Sequence, residues 1–125
     1  MSRRRRGGGA RLTTIYWRDI PAQVNGVAGD QKVQRILGER FHVAIDRAAM
    51  VADKADTDAY VAEWRQDATA LDADAEGFDL EAAAIAAAEE LEATIDSARM
   101  KLYVERGGWS PDRALTDDGE PVDPV

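Results

Sequence analysis

Residues Leu12 to Val24, LTTIYWRDIPAQV, constrain the fold more than any other stretch, because β-branched and aromatic side chains concentrate there in a chain that elsewhere reads as alanine-rich helix. In an extended strand Leu12, Thr14 and Tyr16 point to one face and Thr13, Ile15 and Trp17 to the other, so both faces carry side chains that need cover. Asp19-Ile20-Pro21-Ala22 suits a reversal, since proline fixes φ and cannot donate to a ladder. A return strand is predicted from Ala22 to about Val27, with Asn25-Gly26 as a competing turn at its end. The expected element is an N-terminal two-stranded β-hairpin, which is marginal in water unless helices cover one face, and whose open edges can pair with another chain.

Helical periodicity follows. From Asp30, an N-cap residue type, apolar residues recur at Val33, Ile36, Leu37, Phe41, Ala44, Ile45, Ala48 and Ala52, which predicts a first helix. Asp56 and Thr57 supply the next cap signal, and Tyr60, Trp64, Ala68 and Leu71 step by four, four and three, which predicts a short second one. Asp79 can cap a third helix over about Leu80 to Val104, with Phe78 lying back on its first turn, before Gly107-Gly108 ends it. The reading is an α+β domain: an N-terminal β-hairpin packed on three α-helices, with Ile15, Trp17, Leu37, Phe41, Ile45, Trp64, Leu91 and Ile95 in the core.

The 125 residues fit one domain with tails. Residues 1–10, MSRRRRGGGA, form a low-complexity basic arm expected to be disordered; residues 11–106 form the single domain; residues 107–125, with three prolines and five acids, form an acidic tail. The Gly7-Gly8-Gly9 run lacks the Lys-Ser or Lys-Thr of a phosphate loop. Arg3 to Arg6 have no interleaved aromatics, so nucleic acid is not an expected partner. No stretch approaches the roughly 18 apolar residues of a membrane span, and no apolar h-region follows the arginines, so no membrane partner is expected and the expected compartment is the cytoplasm. The net charge of −8 divides into +6 over residues 1–54 and −14 over residues 55–125, a polarity that fits solubility first and docking second.

Catalytic and metal constellations are sparse. The absence of cysteine removes disulfides, thiolate metal sites and cysteine nucleophiles together. His42 is the one imidazole, and Glu39-Arg40-Phe41-His42 has the Glu-x-x-His spacing of di-iron bundles without the second such motif those sites require, so His42 is expected to be exposed and paired with Asp46. Asp72, Asp74 and Glu76 resemble the start of a calcium loop, but Ala83 stands at position twelve, where the bidentate ligand belongs. Ser2, Ser97 and Ser110 sit in tails or mid-helix, outside any nucleophile elbow. No catalytic residue, no metal and no cofactor is therefore assigned, and the chain is not expected to be an enzyme.

RLTTIYWRDIPAQV, ERFHVAIDRAAM and TDAYVAEWR together resemble the bacterial "virulence factor" domain family, a small domain found alone or within larger conserved virulence factor proteins. The likeness is strongest over Arg11 to Trp64 and looser over the third helix; after Val24, NGVAGDQKV replaces a more basic and apolar stretch. The family name records a phenotype and implies no reaction. Free-standing members are often encoded beside folate and corrinoid one-carbon enzymes, so the resemblance implies an accessory role.

Three function classes follow as expectations. The first is a small non-catalytic protein-interaction module acting on a protein partner or as a homodimer, through Thr13, Ile15, Trp17, Arg18 and Trp64 and the outer face of the third helix. The alternative is an accessory subunit or assembly factor of a folate- or corrinoid-dependent methyl-transfer enzyme, carried by the resemblance. A stand-alone enzyme comes third, since only carboxylates, Arg, Tyr and one His remain for proton work.

Overall fold

A computed structural model describes residues 9–117 and 119–122. Its elements are β1 (Ala10–Trp17), β2 (Ile20–Ala28), β3 (Gln31–Ile36), α1 (Glu39–Val51), α2 (Thr57–Ala62), β4 (Trp64–Leu71), α3 (Leu80–Thr94) and α4 (Ser97–Glu105). The strands form one antiparallel sheet in the order β3-β2-β1-β4. This corrects the expected two-stranded hairpin on three helices: the described residues form four strands and four helices. Residues 1–8 of the predicted arm lie outside the described residues, while Ala10 opens β1 and is buried.

Each misplaced element has a local cause. Asp30 does not cap a helix; with Gly29 at φ +59° it forms the two-residue turn between Ala28 and Gln31, and the positive φ at the first central residue is the type II′ pattern that suits hairpin twist. Residues 31–36 therefore pair with β2, and α1 starts only at Glu39. The predicted second helix stops at Ala62 and its remainder is β4. Trp64 and Ala68 are four apart, and four is a multiple of two as well as close to a helical turn, so that spacing fits a strand equally. The long third helix is broken at Ile95 (φ −102°, ψ 77°), and Asp96 caps α4 by accepting from the Arg99 N–H at 2.9 Å. Asp79 caps α3 as its sequence position suggests, accepting from the Ala82 N–H.

Helix α3 lies across β2 and β3, with a lighter contact on β1. The closest approach is at Gly26, where an added Cβ would stand 2.8 Å from Val33 Cγ2 and 3.0 Å from Leu80 Cδ1. Asn25-Gly26 is thus mid-strand, not a turn: its glycine makes room for the first turn of α3. The main core gathers Trp17, Ile20, Ala22, Leu37, Phe41, Ile45, Ile95, Met100 and Tyr103, with Tyr60, Trp64 and Leu91 packed against it. Ile15, expected in the core, is only half-buried on β1.

The pairing register sorts the strands by face. Val24 and Gly26 are buried on the side of α3. The other side carries Thr13, Ile15, Gln23, Asn25, Val27, Lys32, Gln34, Ile36, Gln66, Ala68 and Ala70, every one of them half-buried or exposed. We call this the open face.

Candidate functional site

The β1–β2 turn, Arg18-Asp19, holds the two buried charged residues of the described chain, 3% and 7% exposed. Arg18 has φ 55°, a left-handed conformation that costs a non-glycine residue about 1–2 kcal/mol. It persists because its surroundings hold it from several directions. The Arg18 N–H donates to the Glu63 carbonyl at 3.1 Å, its Nε to Glu63 Oε1 at 3.1 Å and its Nη1 to the Gly107 carbonyl at 3.1 Å. The guanidinium stands 4.5 Å from the Trp109 ring centroid and 5.4 Å from that of Trp17. Lys54 Nζ adds a second cation 3.8 Å from Glu63 Oε2.

Asp19 is the complementary anchor. Its carboxylate accepts from the Ser110 N–H at 2.8 Å, Arg113 Nε at 2.8 Å, Arg113 Nη2 at 2.9 Å and Arg65 Nη2 at 3.1 Å. Burial pushes this carboxyl up, but the bonds from Arg113, the Ser110 N–H and Arg65 outweigh it and hold the group below the usual carboxylate range. Arg65 also donates to the Arg18 carbonyl at 2.8 Å and lies over the Tyr16 ring, 4.2 Å from its centroid. Burial, then the charge of Asp67, raises the Tyr16 phenol above its ordinary value. Gly108 lies so close to Trp17 that a Cβ would stand 2.9 Å from the indole, and its φ of +103° favours glycine as well.

Two clefts of about 410 Å³ each meet at Asp19 and Tyr103: one runs between β1 and α3 past Thr14, Tyr16 and Leu91, the other past Arg65, Ser110 and Arg113. Chemically the cluster is an anchor. Asp19 is ionised with its acceptor sites occupied, and what the bonds achieve is to tie the segment after α4 to the hairpin. The tail from residue 107 thus packs on the domain over its described part, closed by the Leu115–Pro121 bridge and by the Arg106 guanidinium on the Arg113 carbonyl.

The residues proposed from sequence as an interface separate into two groups. Thr13, Ile15 and Trp64 are half-buried, and Thr13 and Ile15 lie on the open face opposite Ala68 and Gln66 of β4. Trp17 and Arg18 turn inward: Trp17 is fully buried, its Nε1 donating to the Tyr60 carbonyl at 2.9 Å with the two rings stacked 5.8 Å apart. The hairpin edges expected to be free are paired within the chain, β1 by β4 and β2 by β3, so the sheet's outer edges are β3 and β4. His42 is half-buried with Nε2 enclosed and unbonded, while Asp46 contributes, after burial, to raising the Tyr60 phenol. Among the described residues no three His, Asp or Glu side chains converge where a metal ion could sit. No described helix is long and apolar enough to cross a membrane.

Sequence reasoning missed Asp19, Glu63, Arg65 and Arg113. A charged pair between Trp17 and Ile20 inside an apolar run was a signal for Arg18 and Asp19, but their partners lie 45 to 94 residues away.

The architecture defines the class: an α+β domain whose four-stranded antiparallel sheet is packed by helices, with a buried ionic turn at one end of its central strands. The family model described as "Virulence factor" matches residues 15–104, and the chain belongs to that family. No curated protein and no solved structure matches it.

Proposed function

We propose that this member of the virulence-factor family is a non-catalytic protein-interaction module that docks a partner through the open face and the β4 edge of its sheet. The observation that carries the reading is β4 itself. Gln66 to Ala70 are exposed on both faces, one side of the strand is paired with β1, and the other is an edge. An edge strand of this kind offers a row of backbone groups to an added strand, and the adjoining Thr13, Ile15 and Trp64 offer partly apolar surface beside it. The buried ionic turn supports the reading by fixing the end of β1 against β4, so that the surface is presented rigidly.

The test is capture from native extract with the wild-type chain and with a Thr13→Arg, Ala68→Arg variant, which places two charges on the open face without touching the core. Stoichiometric retention of one protein by the wild type, lost in the variant with circular dichroism unchanged, supports the module. Turnover by the isolated chain, or a monomer by light scattering with nothing retained from extract, overturns it. The alternative reading, an accessory subunit of a folate- or corrinoid-dependent enzyme, is decided by the identity of the retained protein.

A further inference from the structure

We propose that the groove between α1 and α4 is a docking site for an acidic amphipathic helix of a partner protein. The groove, about 610 Å³, is lined from α1 by Arg40, Val43, Ala44 and Arg47 and from α4 by Ser97, Met100, Lys101 and Val104, with Glu39 at one end. Both sets run i, i+3, i+4, i+7, the spacing of one helical face, so two helices present matched stripes to a shared cleft. Val43, Ala44, Met100 and Val104 make an apolar floor; Arg40, Arg47 and Lys101 make a cationic rim. Met50 and Val51, 70% and 56% exposed, continue the α1 stripe one turn beyond Arg47. At 1.5 Å per residue the nine residues of α4 give the two-walled part a length of about 14 Å, some two and a half turns of a third helix, and the 13 residues of α1 extend one wall to about 20 Å.

Charge identifies the occupant. The chain carries −8 overall, yet this groove sets three cations against one carboxylate, so it selects acidic flanks around apolar anchors. Arg40 is held in place at the rim. Its Nη2 donates to the Glu92 carbonyl at 2.7 Å and its guanidinium stacks on Phe41, which fixes the position of this charge beside the groove. The acidic helix of a second copy does not fit: α3 presents Glu81, Glu89 and Glu90 outward, but the exposed large apolar residues of the described chain include none on α3. Its outer face has the acid without the anchors.

This inference rests on the reading of the chain as a protein-binding module, and the two fail separately: a negative result here with extract capture through the open face intact removes the groove alone. The probe is a labelled helical peptide of about five turns, with leucines at i, i+3, i+4 and i+7 and glutamates flanking them; its control keeps the leucines and replaces glutamate by lysine. The expected result by fluorescence anisotropy is saturable binding of the glutamate peptide, weakened on the order of tenfold in Arg47→Glu, Lys101→Glu, with the lysine peptide gaining affinity for that variant. Both positions are exposed, so the fold should survive; independently, amide shifts on peptide addition to the wild type should map to α1 and α4. Equal binding of both peptides, no saturation up to about 1 mM, or shifts centred elsewhere overturns the proposal.

Discussion

The two faces of the sheet are built from alternate residues of the same four strands, yet they have different fates. Toward α3, Val24 is fully buried and Gly26 gives its side-chain space to Leu80; on the open face, the neighbouring Gln23, Asn25 and Ile36 remain in contact with solvent. The same contrast runs along one face of β1, where Trp17 is sealed in the core while Thr13, four residues earlier, is half-buried. Period-two alternation tells which residues share a face, but only the docking of helices decides which face, and which end of it, becomes interior.

The largest expected effect separates the two ends of β1. Trp17→Ala should cost about 3–5 kcal/mol in urea unfolding, while Thr13→Ala, on the same face of the same strand, should stay within about 0.5 kcal/mol. Equal costs would erase the contrast. Trp17→Lys, which the hairpin-interface expectation would treat as a surface change, should instead abolish the cooperative transition.

Next comes the ionic turn. Asp19→Asn should cost about 2 kcal/mol near neutral pH, a figure below that of a fully buried pair because Arg65 and Arg113 are partly exposed. The sign with pH follows from the lowered carboxyl: its contribution is present above the unfolded value near 3.8 and is lost as pH falls through the folded value. Melting temperatures of wild type and variant should therefore converge as the pH drops below about 4. A gap that stays constant or widens in acid would show that Asp19 stabilises by something other than its charge.

A smaller loss is expected at Gly26→Ala, about 1–2 kcal/mol, because the new methyl must displace Val33 and Leu80 at their closest contact. A neutral result would mean that α3 slides on the sheet, and amide exchange in β2 would reveal it. The smallest effect belongs to the open face: Ile36→Gln, at a residue 62% exposed, should leave stability within about 0.5 kcal/mol. A marked stabilisation or loss at Ile36 would show that the open face already has an occupant.

The sequence by itself determined the strand character and facing of residues 12–17, the Asp79 cap, the helical stretches that became the body of α1, α2, α3 and α4, and the family resemblance that the family match over residues 15–104 makes explicit. These rest on local steric preference, capping and alternation, which short windows carry. Tertiary structure decided β3 and β4. Val33 and Ile36 suit a helical stripe and Trp64 and Ala68 an i, i+4 pair, but hydrogen bonds to β2 and β1 were available, and pairing outweighs propensities worth a few tenths of a kcal/mol per residue. It also decided the break at Ile95-Asp96. Above all it decided the Arg18-Asp19 anchor, since Asp19 meets Arg113 across 94 residues of chain, and a contact at that distance leaves no periodic trace in either segment.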